Sequence, residues 1–194
     1  MKRICVYCGS SPGRREAYRN AAVALGRTLT RRGLGLIYGG ASVGIMGAIA
    51  DTVLEAGGEA IGIIPEALAV KEVAHDGLTE QHVVASMHER KALMAEKADA
   101  FIALPGGWGT FEELFEVLTW AQLGFHEKPV GLLNVDGYYD RLAAFLEGAI
   151  EEGFVPPVCR EMLMVEGDPD LLVERFSAYR APTVRKWITR EDET

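Results

Sequence analysis

The sequence is short of cysteine, histidine, positive charge and long apolar runs, and each shortage removes a class of function. Cys5, Cys8 and Cys159 make an odd set of three. The pair Cys5-x-x-Cys8 falls inside an apparent strand and not at a helix start, where a redox pair would be activated. All three are expected to be reduced thiols that act as small apolar fillers. His75, His82, His88 and His126 show no metal-ligand spacing, so no metal is expected. Twenty basic against 28 acidic side chains leave a net charge of −8, which argues against a general nucleic-acid or anionic-membrane surface built from clustered Lys and Arg. No apolar run approaches the ~18 residues of a membrane span. The start Met1–Gly9 breaks off too early for a signal peptide, and a cytoplasmic protein is the expectation. The dinucleotide fingerprint is also missing. The first glycine loop lacks the order G-x-G-x-x-G, and no acidic residue closes an obvious second strand, which argues against an NAD-dependent dehydrogenase.

What the chain does hold is a steady alternation. Its 194 residues fit one domain, and a 48% hydrophobic content can fill the core. Short β-rich apolar runs are expected as strands at Ile4–Cys8, Gly35–Tyr38, Ala60–Ile64, His82–Ala85, Ala100–Leu104, Val130–Asn134 and, more weakly, Met162–Val165. Between them, helical periods cover Arg15–Arg32, Ile45–Ala56, His88–Lys97, Phe111–Leu123, Tyr138–Glu152 and Pro169–Tyr179. This order predicts an α/β fold, a Rossmann-like doubly wound parallel sheet with helices on both faces. Residues 1–180 are expected to form that domain, and 181–194 a charged tail. The stretch Pro65–Glu80 has no clear period and reads as a lid or an exposed loop.

Ligands of such sheets bind beyond the carboxyl ends of the strands, and the glycines gather there. Gly9-Ser10-Ser11-Pro12-Gly13 follows the first strand, Gly39-Gly40-Ala41-Ser42-Val43-Gly44 the second, and Pro105-Gly106-Gly107-Trp108-Gly109-Thr110 the fifth. A need for tight turns would also place glycine at these exits. Three such loops on one edge favour a nucleotide-sized ligand, and the last one, opening a helix, could seat a phosphate on free N–H groups and the helix dipole.

Glu113 lies one turn into that helix as the sequence places it. Thr110-Phe111-Glu112-Glu113 also fits a capping box, so spacing alone leaves Glu113 divided between a cap and a catalytic group. Positive charge near an anion could come from His88-Glu89-Arg90-Lys91, where Arg offers a planar fork and Lys a point charge. A solvated helix face would account for that cluster as well.

Taken together, these residues resemble the Lonely Guy (LOG) family of cytokinin riboside 5′-monophosphate phosphoribohydrolases, long mislabelled as lysine decarboxylases. The resemblance rests on Pro105-Gly106-Gly107-x-Gly109-Thr110-x-x-Glu113 and on Met87-His88-Glu89-Arg90-Lys91. It extends through Cys8-Gly9-Ser10-Ser11, Tyr38-Gly39-Gly40, Thr119-Trp120-Ala121-Gln122-Leu123-Gly124 and Lys128-Pro129-Val130-Gly131-Leu132-Leu133-Asn134, nearly the whole chain. One departure is Ala41, where similar proteins usually carry a third glycine. The other is the charged stretch from Pro65 to Glu80.

The resemblance implies hydrolysis of the N-glycosidic bond of an adenine nucleotide, with Arg90 and Glu113 as the catalytic pair. A carboxylate there would stabilise an oxocarbenium-like state, and a first-turn position is expected to keep Glu113 ionised. Gly106, Gly107, Gly109 and Thr110 would cradle the phosphate, and Ser10, Gly40, Lys91, Glu112 and Thr119 are carried over as further substrate contacts. The family also implies a homodimer, no cofactor, and a small AMP-like or prenylated adenine nucleotide as the partner. A decarboxylase would need pyridoxal phosphate on a lysine, which no sequence feature marks. The competing expectation is a carrier that holds a phosphorylated ligand without turning it over, as molybdenum-cofactor carriers of related fold do. Such a carrier needs the glycine loops but no charge pair aimed at a ribose.

Overall fold

Runs rich in Ile, Val, Leu and Ala that are buried on both faces form parallel strands, because only covered strands tolerate a continuous apolar sequence. The computed structural model of the protein describes residues 1–69 and 74–183. In chain order these hold β1 (Arg3–Tyr7), α1 (Glu16–Arg31), β2 (Gly35–Tyr38), α2 (Gly44–Glu55), β3 (Ala60–Pro65), α3 (Glu66–Ala69), β4 (Glu80–Val84) and α4 (Met87–Lys97). There follow β5 (Ala100–Ala103), α5 (Trp108–Leu123), β6 (Val130–Leu133), α6 (Asp140–Glu151), β7 (Leu163–Glu166) and α7 (Pro169–Ala178). Two 3-10 turns, Val135–Gly137 and Pro157–Met162, flank α6.

All seven strands of this sheet pair in parallel, in the order β4-β3-β2-β1-β5-β6-β7. The winding reverses beside β1, which pairs β2 on one edge and β5 on the other. That is the expected α/β doubly wound architecture, and the reversal fixes where a crevice opens. Two apolar layers cover the sheet. Leu25, Leu29, Ile45, Ile49 and Phe176 pack on one face. Met94, Leu114, Val117 and Tyr139 pack on the other, against Cys5, Ile37 and Phe101. Cys5 and Cys8 are buried free thiols, as expected, and Cys159 is half-buried and free.

Two boundaries differ from expectation in ways that matter for the site. Helix α5 begins at Trp108, three residues before the expected Phe111, with Gly107 as its N-cap. The stretch Pro65–Glu80 is not wholly irregular. It carries the short α3, and Ala74 forms an antiparallel bridge to Ala41. Residues 70–73 and 184–194 lie outside the described residues, and with them most of the expected tail. Among the described residues no helix is long and apolar enough to cross a membrane.

Candidate active site

The glycine loops after β1, β2 and β5 are tied into one surface by backbone bonds. Gly9 donates its N–H to the Pro105 carbonyl at 3.3 Å, and its own carbonyl accepts from Ile45 N–H at 3.1 Å. Gly44 makes the second junction possible. Its φ is +62°, and a Cβ there would lie 2.2 Å from the Ser10 carbonyl oxygen, so only glycine fits. Between the carboxyl ends of β1 and β5 these loops enclose a cavity of about 310 Å³, with Gly9, Ser10, Ile45, Gly106, Gly107 and Tyr138 among its lining residues.

The third loop turns directly into α5. The first bond of that helix joins Phe111 N–H to the Gly107 carbonyl at 3.1 Å, so the amides of Trp108, Gly109 and Thr110 precede the intrahelical ladder. They carry the positive end of the helix dipole beside the cavity wall. Thr110 is buried within the first turn, its hydroxyl packed against Gly106. The capping box is therefore overturned: Thr110 is not the N-cap, and no side chain caps this helix.

Glu113 accordingly sits in the second turn, where its side chain points into the protein beside Arg90. Nη1 of Arg90 lies 3.2 Å from Oε1 of Glu113, with side-chain exposures of 10% and 7%. Arg90 is held from two further directions. Its Nε donates to the Ile63 carbonyl at 3.0 Å, and a Cβ at Gly39 would stand 2.3 Å from Nη2. The pair thus lies under the exits of β2 and β3, and the alternative of a solvated face for Arg90 and Lys91 fails because both are buried. Burial pushes the Glu113 carboxyl up to about 7, with Arg90 opposing and Glu112 adding to the rise. The expectation that a first-turn position keeps Glu113 ionised is corrected for the same reason: the residue is a turn deeper and desolvated.

The remaining expected contacts divide. Ser10, Gly106 and Gly107 line the cavity, and Gly109 and Thr110 stand at the helix start beside it. Gly40, with φ +79°, occupies the exit of β2, and its carbonyl accepts from His75 N–H at 3.1 Å. Lys91 turns to α5, where Nζ bonds Glu112 and, at 2.9 Å, Glu116. Thr119 is not brought to the loops. Its hydroxyl donates to the Phe115 carbonyl at 2.7 Å, and it lines a separate cavity of about 350 Å³ between α5 and α6. Sequence reading passed over Tyr138, Tyr139 and Glu116, which had no glycine or charge motif of their own to mark them.

A parallel sheet with glycine loops at its reversal point and a buried Arg–Glu pair beneath them defines a Rossmann-like protein of the nucleotide-handling kind. The sequence model of a family described as "Possible lysine decarboxylase" matches residues 46–176. One cytokinin riboside 5′-monophosphate phosphoribohydrolase of Arabidopsis thaliana is 52% identical over 190 residues, spanning 98% of this chain and 88% of that one. A probable cytokinin riboside 5′-monophosphate phosphoribohydrolase of Oryza sativa subsp. japonica is 53% identical over 179 residues, 92% of this chain and 79% of that one. The chain belongs to the Lonely Guy (LOG) family.

Among solved structures, the molybdenum cofactor carrier protein of Chlamydomonas reinhardtii matches with a TM-score of 0.70 at 23% identity, over 92% of this chain and 99% of that one. The molybdenum cofactor binding protein of Rippkaea orientalis matches with a TM-score of 0.68, also at 23% identity, over 92% and 97%. These two share the fold. The decarboxylase description finds no support in the lysine beside the Arg90–Glu113 pair. Lys91 is the buried lysine among the described residues. Burial works against its charge, but the hydrogen bonds to Glu112 and Glu116 outweigh that and raise its pKa. An ammonium so held has no lone pair to offer an aldehyde cofactor.

Proposed function

We propose that this protein hydrolyses the N-glycosidic bond of cytokinin riboside 5′-monophosphates, and of AMP, releasing the free base and ribose 5-phosphate. The observation that carries the reading is the buried Arg90–Glu113 pair beneath the loops, 3.2 Å across. A carrier of a phosphorylated ligand has no need of a desolvated carboxylate held by a guanidinium. The named activity of the relatives at 52% and 53% identity supports the same reaction.

In this reading the 5′-phosphate sits on the amides that open α5, and the base extends away from them. As the bond to the base breaks, positive charge grows on the anomeric carbon and ring oxygen. The Glu113 carboxylate stabilises that charge or takes a proton from the attacking water, and its pKa near 7 suits either task. Water supplies oxygen to the anomeric carbon, the bonding pair leaves with the base, and the base nitrogen gains the proton. Arg90 orients Glu113 and presents its remaining N–H groups to the ribose or phosphate. Gly106, Gly107, Gly109, Thr110, Ser10 and Gly40 shape the seat, while Lys91 and Glu112 hold α4 to α5 around it.

The protein acts on this reading as a cytoplasmic homodimer, with residues 1–180 as its catalytic domain. Phe115, Phe145 and Phe154 expose apolar surface on and after α5 and α6 that a second copy would cover. The deciding experiment is chromatographic detection of base release from isopentenyladenosine monophosphate and from AMP, with wild type and Glu113→Gln side by side. Release by the wild type alone supports the reading. Tight AMP binding without release from either substrate would replace it with the carrier.

A further inference from the structure

The loop proposed to seat the phosphate has every one of its carbonyls occupied. From Leu104 to Gly107 the acceptors are, in order, bonded by Tyr139 Oη at 2.7 Å, Gly9 N–H at 3.3 Å, Tyr138 Oη at 2.5 Å and Phe111 N–H at 3.1 Å. Two of these four donors are consecutive tyrosine hydroxyls, and both come from one strained turn. Asp136, two residues before Tyr138, has φ 50°, and no other non-glycine residue among the described ones has positive φ. Such a conformation persists only where its surroundings over-determine it. Here Asn134 supplies that constraint: Oδ1 accepts from Tyr139 N–H at 2.8 Å and Nδ2 donates to Asp140 at 2.7 Å.

Carbonyl occupancy has a direct electrostatic meaning. Across a trans peptide the C=O of one residue and the N–H of the next point in opposite directions. The Gly106–Gly107 peptide is flanked by glycine on both sides, so its plane can flip at little steric cost. In one orientation it offers Gly107 N–H to an anion, and in the other it offers the Gly106 carbonyl oxygen, which repels phosphate. The hydroxyl of Tyr138 bonds that oxygen and selects the first orientation. Burial raises the Tyr138 pKa, with Tyr18 adding to it, so the phenol keeps the proton it donates.

We propose that Tyr138 is a positioning residue for the phosphate seat: its hydroxyl locks the Gly106–Gly107 peptide so that the loop meets an anion with N–H groups and never with a carbonyl, and the strained Asp136 turn exists to deliver it. This rests on the reading that the loop binds the 5′-phosphate. Tyr139 holds the Leu104 carbonyl from within the core, where its side chain is fully buried, but the next residue is Pro105, which has no N–H to present.

The variant to make is Tyr138→Phe, which keeps the ring that packs edge-on against Tyr18 and Tyr139 and removes only the hydroxyl. Affinities of the full-length wild type and variant for ribose 5-phosphate and for adenosine are measured by calorimetry, with KM and kcat for AMP and the thermal unfolding midpoint. Loss of one hydrogen bond that orients a charged contact should weaken ribose 5-phosphate binding and raise KM roughly tenfold. Adenosine affinity, kcat and the unfolding midpoint should stay near wild type. Unchanged ribose 5-phosphate affinity overturns the lock. So does an equal loss for adenosine, or a large drop in midpoint, because either would make the hydroxyl a general structural contact. If the wild type itself fails to bind ribose 5-phosphate, the reading of the loop as a phosphate seat has failed, and that result is distinct from the other two.

Discussion

Arg90 and Glu113 face each other at 3.2 Å, from α4 and α5, with no more than a tenth of either side chain exposed. A lone carboxylate at that depth would be strongly disfavoured, and a lone guanidinium likewise. Each is tolerated because the other is there, and because the Ile63 carbonyl accepts the Arg90 Nε–H.

Replacing Glu113 by Gln keeps the shape and a hydrogen-bond acceptor but removes the charge. Turnover should fall about 10²–10³-fold, the range seen when one electrostatic contact to a developing charge is lost, while AMP still binds. Base release against time, with AMP affinity from calorimetry, checks this. Near-wild-type turnover would reduce Glu113 to a structural partner of Arg90.

The raised Glu113 pKa predicts opposite trends for rate and stability. Its ionised fraction grows as pH rises through about 7, so kcat/KM of the free enzyme should climb over the same interval. The folded state, in contrast, holds a proton that the unfolded chain releases near 4.5. That contribution to stability is complete below the unfolded value and is lost as pH rises through the folded one. A pH–rate profile and thermal unfolding of wild type and Glu113→Gln across pH 4–9, the span of these titrations, test both. The difference in stability between the two proteins should change most between the unfolded and folded values and level off above them.

Removing Arg90 should change stability and pH dependence together. Arg90→Met leaves Glu113 buried without its cation, where the carboxyl keeps its proton at neutral pH, so the loss should be about 1–3 kcal/mol, that of an unsatisfied buried polar group, read as a lower urea midpoint at unchanged slope. It should also move the ascending limb of any residual activity to higher pH, since the guanidinium that favours ionised Glu113 is gone. Arg90→Lys has one point charge and cannot serve Ile63 and Glu113 together, so it should recover stability only in part.

Lys91→Met should separate helix docking from chemistry. Its ammonium joins Glu112 and Glu116, and loss of these charge-assisted bonds should destabilise by roughly 2 kcal/mol. If Lys91 held substrate directly, KM would rise out of proportion to that loss, and steady-state kinetics on the purified variant separates the two.

Gly44→Ala should disturb the seat through the backbone. The added Cβ would meet the Ser10 carbonyl at 2.2 Å and sit at φ +62°. A stability loss above about 1 kcal/mol should accompany a rise in KM for AMP. Wild-type KM would mean that the junction between the first and second loops does not shape the site.

Much of this was legible in the chain. Alternating apolar strands and amphipathic helices fixed a parallel sheet, because continuous runs such as Ala60–Ile64 are stable only when covered on both faces. Glycines at the exits of β1, β2 and β5 marked the edge where the loops meet, and the motif around Gly106–Glu113 with Arg90 marked the family. These signals are local, and local sequence carries them whatever the rest of the molecule does.

The tertiary structure decided what depends on distant partners. Thr110 and Glu113 have the spacing of a capping box, yet α5 starts at Trp108 and carries Glu113 inward to Arg90, so burial and not the helix dipole sets its pKa. Lys91, adjacent to Arg90 in sequence, lies about 100° further round α4 and reaches Glu112 and Glu116 instead. Tyr138 and Tyr139 reach the carbonyls of a loop 32 and 35 residues earlier, which no local pattern announces. Composition and periodicity set which elements form and at which edge the glycine loops gather; the charge state of a buried carboxylate and the orientation of a peptide plane are set by what packs against them, and those neighbours meet only in the folded chain.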